Sequence, residues 1–139
     1  MEETWCTRWR QQREGRHLIQ IKDKIEQWPI AGIADDRRSE TVMARLRIGH
    51  CGLRAHLHRF GLHDTPLCEC GEPETVRHVL VECCLWIRER RQTYGDNIMN
   101  NQLTIKALLG GGEESVKDKR DTVNKVLRFL TVIGKINTI

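Results

Sequence analysis

The residues best placed to do chemistry are Cys68, Cys70, His78 and Cys83, in the pattern Cys-x-Cys-x7-His-x4-Cys. Three thiolates and one imidazole make a closed tetrahedral donor set of the kind that holds Zn2+ as a structural ion. A close cysteine pair followed by Gly71 suits a knuckle, because glycine relieves the tight backbone, and the remaining ligands then come from a helix. On an ideal helix His78 and Cys83 lie about 140° apart, so the helix must tighten or unwind near Cys83 for both to reach one ion. Cys84 competes for the fourth position. The alternatives are that Cys83 and Cys84 are small core residues and His78 an ordinary helical histidine, or that the thiols pair as disulfides. With three thiolates and a neutral imidazole an occupied site carries a net charge of about −1 and offers no open position, which favours a structural over a catalytic role. The knuckle itself does not attract phosphate.

Contact with phosphate must therefore come from the flanks. From residue 45 to 63 the chain has Arg45, Arg47, Arg54 and Arg59 with four histidines, His58 among them, and no acid before Asp64. After the knuckle come Arg77, Arg88, Arg90 and Arg91. Arginine pairs bidentately with phosphate and stacks on bases, so these residues are candidates for nucleic-acid binding, RNA or single-stranded DNA, against the alternative of solvated helix faces. Trp5, Trp9 and Trp28 keep helical register with Leu18, Ile21 and Ile25, which points to packing before base stacking.

Catalytic patterns are sparse. Asp35 and Asp36 lack the apolar strand and third carboxylate of a polymerase centre and read as a charged loop. Gly110, Gly111 and Gly112 follow a helix and lack the Lys and Ser/Thr of a phosphate loop. For Cys51 as a nucleophile with His50 or His56 there is only proximity.

The elements that must position the ligands are helical. Leu18, Ile21, Ile25 and Trp28 repeat at helical spacing up to Pro29. After a loop over residues 29–38, Ser39 reads as an N-cap. Val42, Met43 and Leu46 form one short stripe, and Leu53, Leu57 and Phe60 a second, with Gly49 and Gly52 between them. Residues 61–73 hold two glycines and two prolines and are irregular, and helix resumes from Glu74 to Gly95. A short helix carries Leu103, Ile105, Leu108 and Leu109. In the last, from about Glu113, Val116, Val123, Val126, Leu127, Leu130 and Ile133 share a face. The spacing predicts an all-α fold: a small helical domain with an irregular Cys-Cys-His-Cys zinc-knuckle loop between helices. It divides into a Trp-rich segment (1–38), basic helices plus knuckle (39–95) and amphipathic helices (96–139).

Composition agrees. The 139 residues are 39% hydrophobic and 30% charged, with a net charge of +4, too apolar for a disordered tail. No run of about 18 apolar residues suggests a membrane span, and the N-terminus carries no signal or transit pattern. The expected setting is intracellular, nucleus or cytoplasm, where six cysteines point to metal before disulfides.

The stretch Arg45-Leu-Arg-Ile-Gly-His-Cys-Gly-Leu-Arg-Ala-His-Leu-His-Arg-Phe-Gly61, followed by Cys68-Glu-Cys-Gly-Glu-Pro-Glu-Thr-Val-Arg-His78-Val-Leu-Val-Glu-Cys83, resembles the C-terminal zinc-knuckle region of non-LTR retrotransposon reverse transcriptases, downstream of RNase H, in the branch with I-like and Tad-like elements. The resemblance covers residues 45–91 most specifically. It departs from the family's usual residues at Ile48 for Thr, His56 for Tyr, Arg77 for an acid and Cys84 for Pro. It implies that Cys68, Cys70, His78 and Cys83 hold Zn2+, and that the module helps a polymerase hold RNA or target DNA. The chain contains neither polymerase nor RNase H motifs, so the expectation is a non-catalytic module. The partners expected are nucleic acid and a polymerase/RNase H body, with no membrane and no small-molecule substrate. The competing expectation is a zinc-stabilised protein-interaction or scaffold module.

Overall fold

The computed structural model describes Thr7, Arg8, Gln11 and residues 17–22, 34–95, 103–110 and 115–139. Trp5, Trp9, Ile25 and Trp28 of the predicted first helix lie outside these. The elements are α1 (His17–Ile21), α2 (Arg37–Ile48), α3 (Arg54–Arg59), a π-helical turn (His78–Glu82), a 3-10 turn (Cys84–Trp86), α4 (Ile87–Tyr94), α5 (Ile105–Leu109) and α6 (Val116–Val132). No strand occurs among the described residues, only one isolated bridge between Leu67 and Pro73. The class is all-α.

Local chemistry sets the helix starts. The N-cap of α2 is Asp36, not Ser39: its carboxylate accepts the Ser39 N–H at 3.0 Å and the Ser39 hydroxyl at 2.6 Å. An ionised acceptor satisfies an orphan N–H better than a hydroxyl does and sits favourably at the positive end of the helix. Thr104 caps α5 and Ser115 caps α6 in the same way, with the Ser115 hydroxyl also donating to the Asp118 carboxylate.

The core gathers around α6. Val123, Val126, Phe129 and Leu130 are buried at helical spacing, while Val116, predicted on the same face, is exposed. Met43 and Leu46 from α2, Leu109 from α5 and Leu80 from the π-turn complete the centre. Burying one such side chain fully contributes about 1.5–3 kcal/mol. Tyr94 packs its ring 5.5 Å from that of Phe129, setting α4 on α6.

After α6 the chain turns at Gly134 (φ +72°) and runs back beside α2. The Gly52 N–H donates to the Thr138 carbonyl at 2.9 Å, and the Arg45 guanidinium donates to the Ile139 oxygen at 2.8 Å. A Cβ at Gly52 would stand 2.1 Å from the Thr138 oxygen, inside van der Waals contact with main chain. Gly52→Ala is therefore expected to destabilise the fold by about 1–3 kcal/mol in urea unfolding. An unchanged midpoint would place this tail elsewhere.

Candidate metal centre and basic surface

The knuckle is built by a hairpin that meets a deformed helix. The hairpin closes through Glu74 N–H to Pro66 O at 2.8 Å, Cys68 N–H to Glu72 O at 2.7 Å and Gly71 N–H to Cys68 O at 3.0 Å. Gly71 sits at φ +94°, a conformation in which a Cβ is strained, so the turn carrying Cys68 and Cys70 depends on glycine there. The helix begins normally at Val76 and Arg77, then widens: the Cys83 N–H donates to the His78 carbonyl, five residues back, at 2.7 Å. That i→i+5 bond answers the register problem in the sequence, bringing Cys83 one wide turn beyond His78 and onto its side of the helix. Arg77 and Glu82, also five apart, pair at 2.6 Å across the same turn.

Four donor atoms converge. Cys68, Cys70, His78 and Cys83 place one ligand atom each within 4.8 Å of one another. The Sγ atoms of Cys68 and Cys83 lie 3.8 Å apart and those of Cys70 and Cys83 3.9 Å apart. A tetrahedral Zn2+ with bonds of about 2.3 Å sets sulfur atoms about 3.8 Å apart, so these spacings fit. His78 Nε2 stands 3.1 Å from the Cys70 sulfur, and a modest outward shift suits an ion between them. No two of these sulfurs are at bonding distance, and each is a free thiol. Cys84 is exposed and outside the cluster, leaving Cys83 as the fourth donor.

The electrostatics match a cation. Burial, reinforced by the neighbouring thiols of Cys68 and Cys70, pushes the Cys83 thiol up to about 12. Three sulfurs this close cannot ionise together in a buried site without a positive partner, and a bound divalent ion supplies one. Such a site can hold a metal, and a bound ion would crosslink hairpin to helix.

The structure corrects the expectation for Arg90, which is 3% exposed and points inward. Its guanidinium donates to the Val79 carbonyl at 3.4 Å and lies within electrostatic reach of Cys83 and Cys84. The helix leaves its axis at Cys83, which frees acceptors in the widened turn, and Arg90 satisfies one of them. It cannot reach a solvent phosphate. Arg45 is exposed but bonded to Ile139, whereas half-buried Arg47 donates to the Leu109 carbonyl at 3.0 Å. Arg54 is half-buried, bonded to the Leu67 carbonyl and 3.5 Å from Glu69 on the hairpin. Arg77 is exposed and paired with Glu82; Arg88 and Arg91 are exposed on α4. His58 and Arg59 are exposed at the end of α3.

Two residues escaped sequence analysis. Glu74 is 2% exposed; its carboxylate accepts the Arg54 N–H at 2.8 Å, capping α3 from 20 residues away, and the Lys135 ammonium at 2.6 Å. Phe60, expected in the apolar stripe with Leu53 and Leu57, is 57% exposed. α3 ends at Arg59 and the chain turns at Phe60, so the helical period no longer governs its direction. Cys51 is buried, and burial raises its thiol above the ordinary range, which disfavours the thiolate a nucleophile needs.

No family model matches the chain, and no solved structure does. Among curated proteins it is 29% identical over 90 residues to the retrovirus-related Pol polyprotein from type-1 retrotransposable element R1 of Bradysia coprophila. The match covers 60% of this chain and 8% of that polyprotein, so the chain spans under a tenth of the relative's length. The similarity supports a retrotransposon origin. Among the described residues no helix is long and apolar enough to cross a membrane.

Native mass spectrometry of protein made in zinc-supplemented cells is expected to show one bound ion in the wild type and in Cys84→Ser, and none in Cys70→Ser or Cys83→Ser, with loss of helical circular dichroism in the last two. Loss of the ion in Cys84→Ser alone would reassign the fourth ligand.

Proposed function

We propose that the chain is a Cys-Cys-His-Cys zinc-knuckle module from the C-terminal tail of a non-LTR retrotransposon reverse transcriptase, and that it binds nucleic acid, RNA or target DNA, without catalysis of its own. The observation that carries this is the four-donor cluster, whose sulfur spacings fit a tetrahedral ion. Its support comes from the similarity to a retrotransposon Pol polyprotein and from basic side chains exposed around the knuckle. Among them are His58 and Arg59 on α3, Arg77 beside the knuckle, where it is paired with Glu82, and Arg88 and Arg91 on α4. Zinc fixes the surface; the cations grip phosphate.

A second reading, a protein-interaction module docking on the polymerase and RNase H body, draws on a different patch. Leu85 and Ile87 are 44% and 46% exposed and, with Cys84, Arg88 and Arg91, line an open cleft of about 510 Å³. An apolar patch rimmed by charge is the usual form of a partner surface.

Binding of a labelled oligoribonucleotide is expected to weaken with salt, with a slope in log affinity of about −0.7 per phosphate neutralised on a single strand. His58→Glu with Arg59→Glu, both on exposed side chains, is expected to weaken it at least about tenfold at low salt while leaving the metal in place. Unchanged binding in that double variant would turn the assignment toward the α4 patch.

A further inference from the structure

The surface beside the knuckle carries a ladder of rings that the metal centre does not use. His50 and His56 have ring centroids 4.9 Å apart, His56 and Phe60 5.0 Å apart, and the Arg59 guanidinium carbon lies 5.7 Å from the Phe60 ring centre. The His56 and Phe60 planes are inclined by 56°, so the imidazole backs the phenyl ring without covering it. Phe60 remains 57% exposed, whereas α6 buries Phe129 completely. The fold presents Phe60 outward because Gly61 (φ +68°) turns the chain directly after it.

The surroundings are positive. Residues 45–63 contain no acid. A groove of about 350 Å³ is lined by His17, His56, Arg59, Thr75 and Arg77, and its one carboxylate, Glu74, is buried and already engaged by Arg54 and Lys135. Burial, with the charges of His50 and Arg59 adding to it, holds the His56 imidazole below its ordinary pKa, so near neutral pH the ring is an uncharged aromatic support. An exposed aromatic ring with a guanidinium over it, beside a groove that carries Arg59 and Arg77, is complementary to one polymer in particular: a chain that alternates flat bases with phosphates and leaves its base faces free. A duplex hides those faces.

We propose that Phe60, backed by His56 and flanked by Arg59, is a stacking seat for an unpaired base of a single-stranded nucleic acid whose backbone follows the groove toward Arg77. This rests on the nucleic-acid assignment of the module and specifies the strandedness and the anchor. Phe60 contributes through its π-face and Arg59 through charge, and the two contributions differ in their response to salt.

The test is fluorescence anisotropy of the zinc-loaded full chain with a short labelled single-stranded RNA, the DNA strand of the same sequence, and the matched duplex, across a salt series. Phe60→Leu is expected to weaken single-strand binding about fivefold or more. Its salt slope should stay unchanged, Phe60→Trp should restore affinity, and duplex binding should be indifferent to both substitutions. Arg59→Gln is expected to reduce the slope by about one neutralised phosphate. Because Phe60 is exposed, circular dichroism and bound metal should be the same in all variants. Wild-type affinity in Phe60→Leu, alongside lost binding in the His58/Arg59 charge reversal, would overturn the stacking seat and leave the module's assignment standing. Equal losses in Phe60→Leu and Phe60→Trp would also overturn it. No salt-sensitive binding of any probe by the wild type would remove both.

Discussion

The hydrogen bond from the Cys83 N–H to the His78 carbonyl, spanning five residues where a regular helix spans four, is the constraint on which the four-donor cluster depends. Without it His78 and Cys83 diverge around the helix and the hairpin cysteines have only one partner. The widened turn is expensive for a helix and persists where its surroundings compensate. Here Arg77 and Glu82 bridge it outside, Arg90 fills an acceptor inside, and Val79 and Leu80 of the same turn are buried in the core. The arginine is matched to the site in charge as well: Cys83 and Cys84 offset part of the burial that opposes its charge.

Glu74 does for the hairpin what this bond does for the helix. It leaves the knuckle one residue after the hairpin's last proline, and its carboxylate joins the first turn of α3 to Lys135 beyond α6. A buried carboxylate so placed is retained by complete satisfaction of its oxygens: one takes a main-chain N–H, the other an ammonium. The basic helix is thereby held at a fixed place relative to the metal cluster, and the exposed His58 and Arg59 inherit that placement.

The helical class and the four residues that converge were legible in the sequence, since Cys and His at knuckle spacing have few other uses and the apolar positions repeat at 3.6. The need for a distortion near Cys83 was legible too, from angle arithmetic, but not its form, because the choice between tightening and widening is made by Arg90 and the packing of the turn. Arg90 itself looked like its neighbours Arg88 and Arg91; only the seating of α4 on α6 through Tyr94 and Phe129 selects which one faces inward. Asp36 and Ser39 are both capping residues, and the sequence does not rank them when they sit three apart. Glu74 read only as the start of a helix, and a cap supplied across 20 residues leaves no local trace. Phe60 kept the period of its helix on paper and lost it in space because the helix had already ended.

The four donors also lie much closer along the chain than the contacts of the C-terminal tail. Cys68 and Cys83 are 15 residues apart, whereas Arg45 reaches the Ile139 oxygen across 94. Closing the longer loop costs roughly 1.5 kcal/mol more chain entropy than closing the shorter one. The knuckle is thus the segment that can organise while the chain is still largely unformed, and the tail against Gly52 belongs among the last contacts to settle. In a chain with this order of assembly, an ion held by the four donors would act early, joining hairpin to helix before the longer loops close.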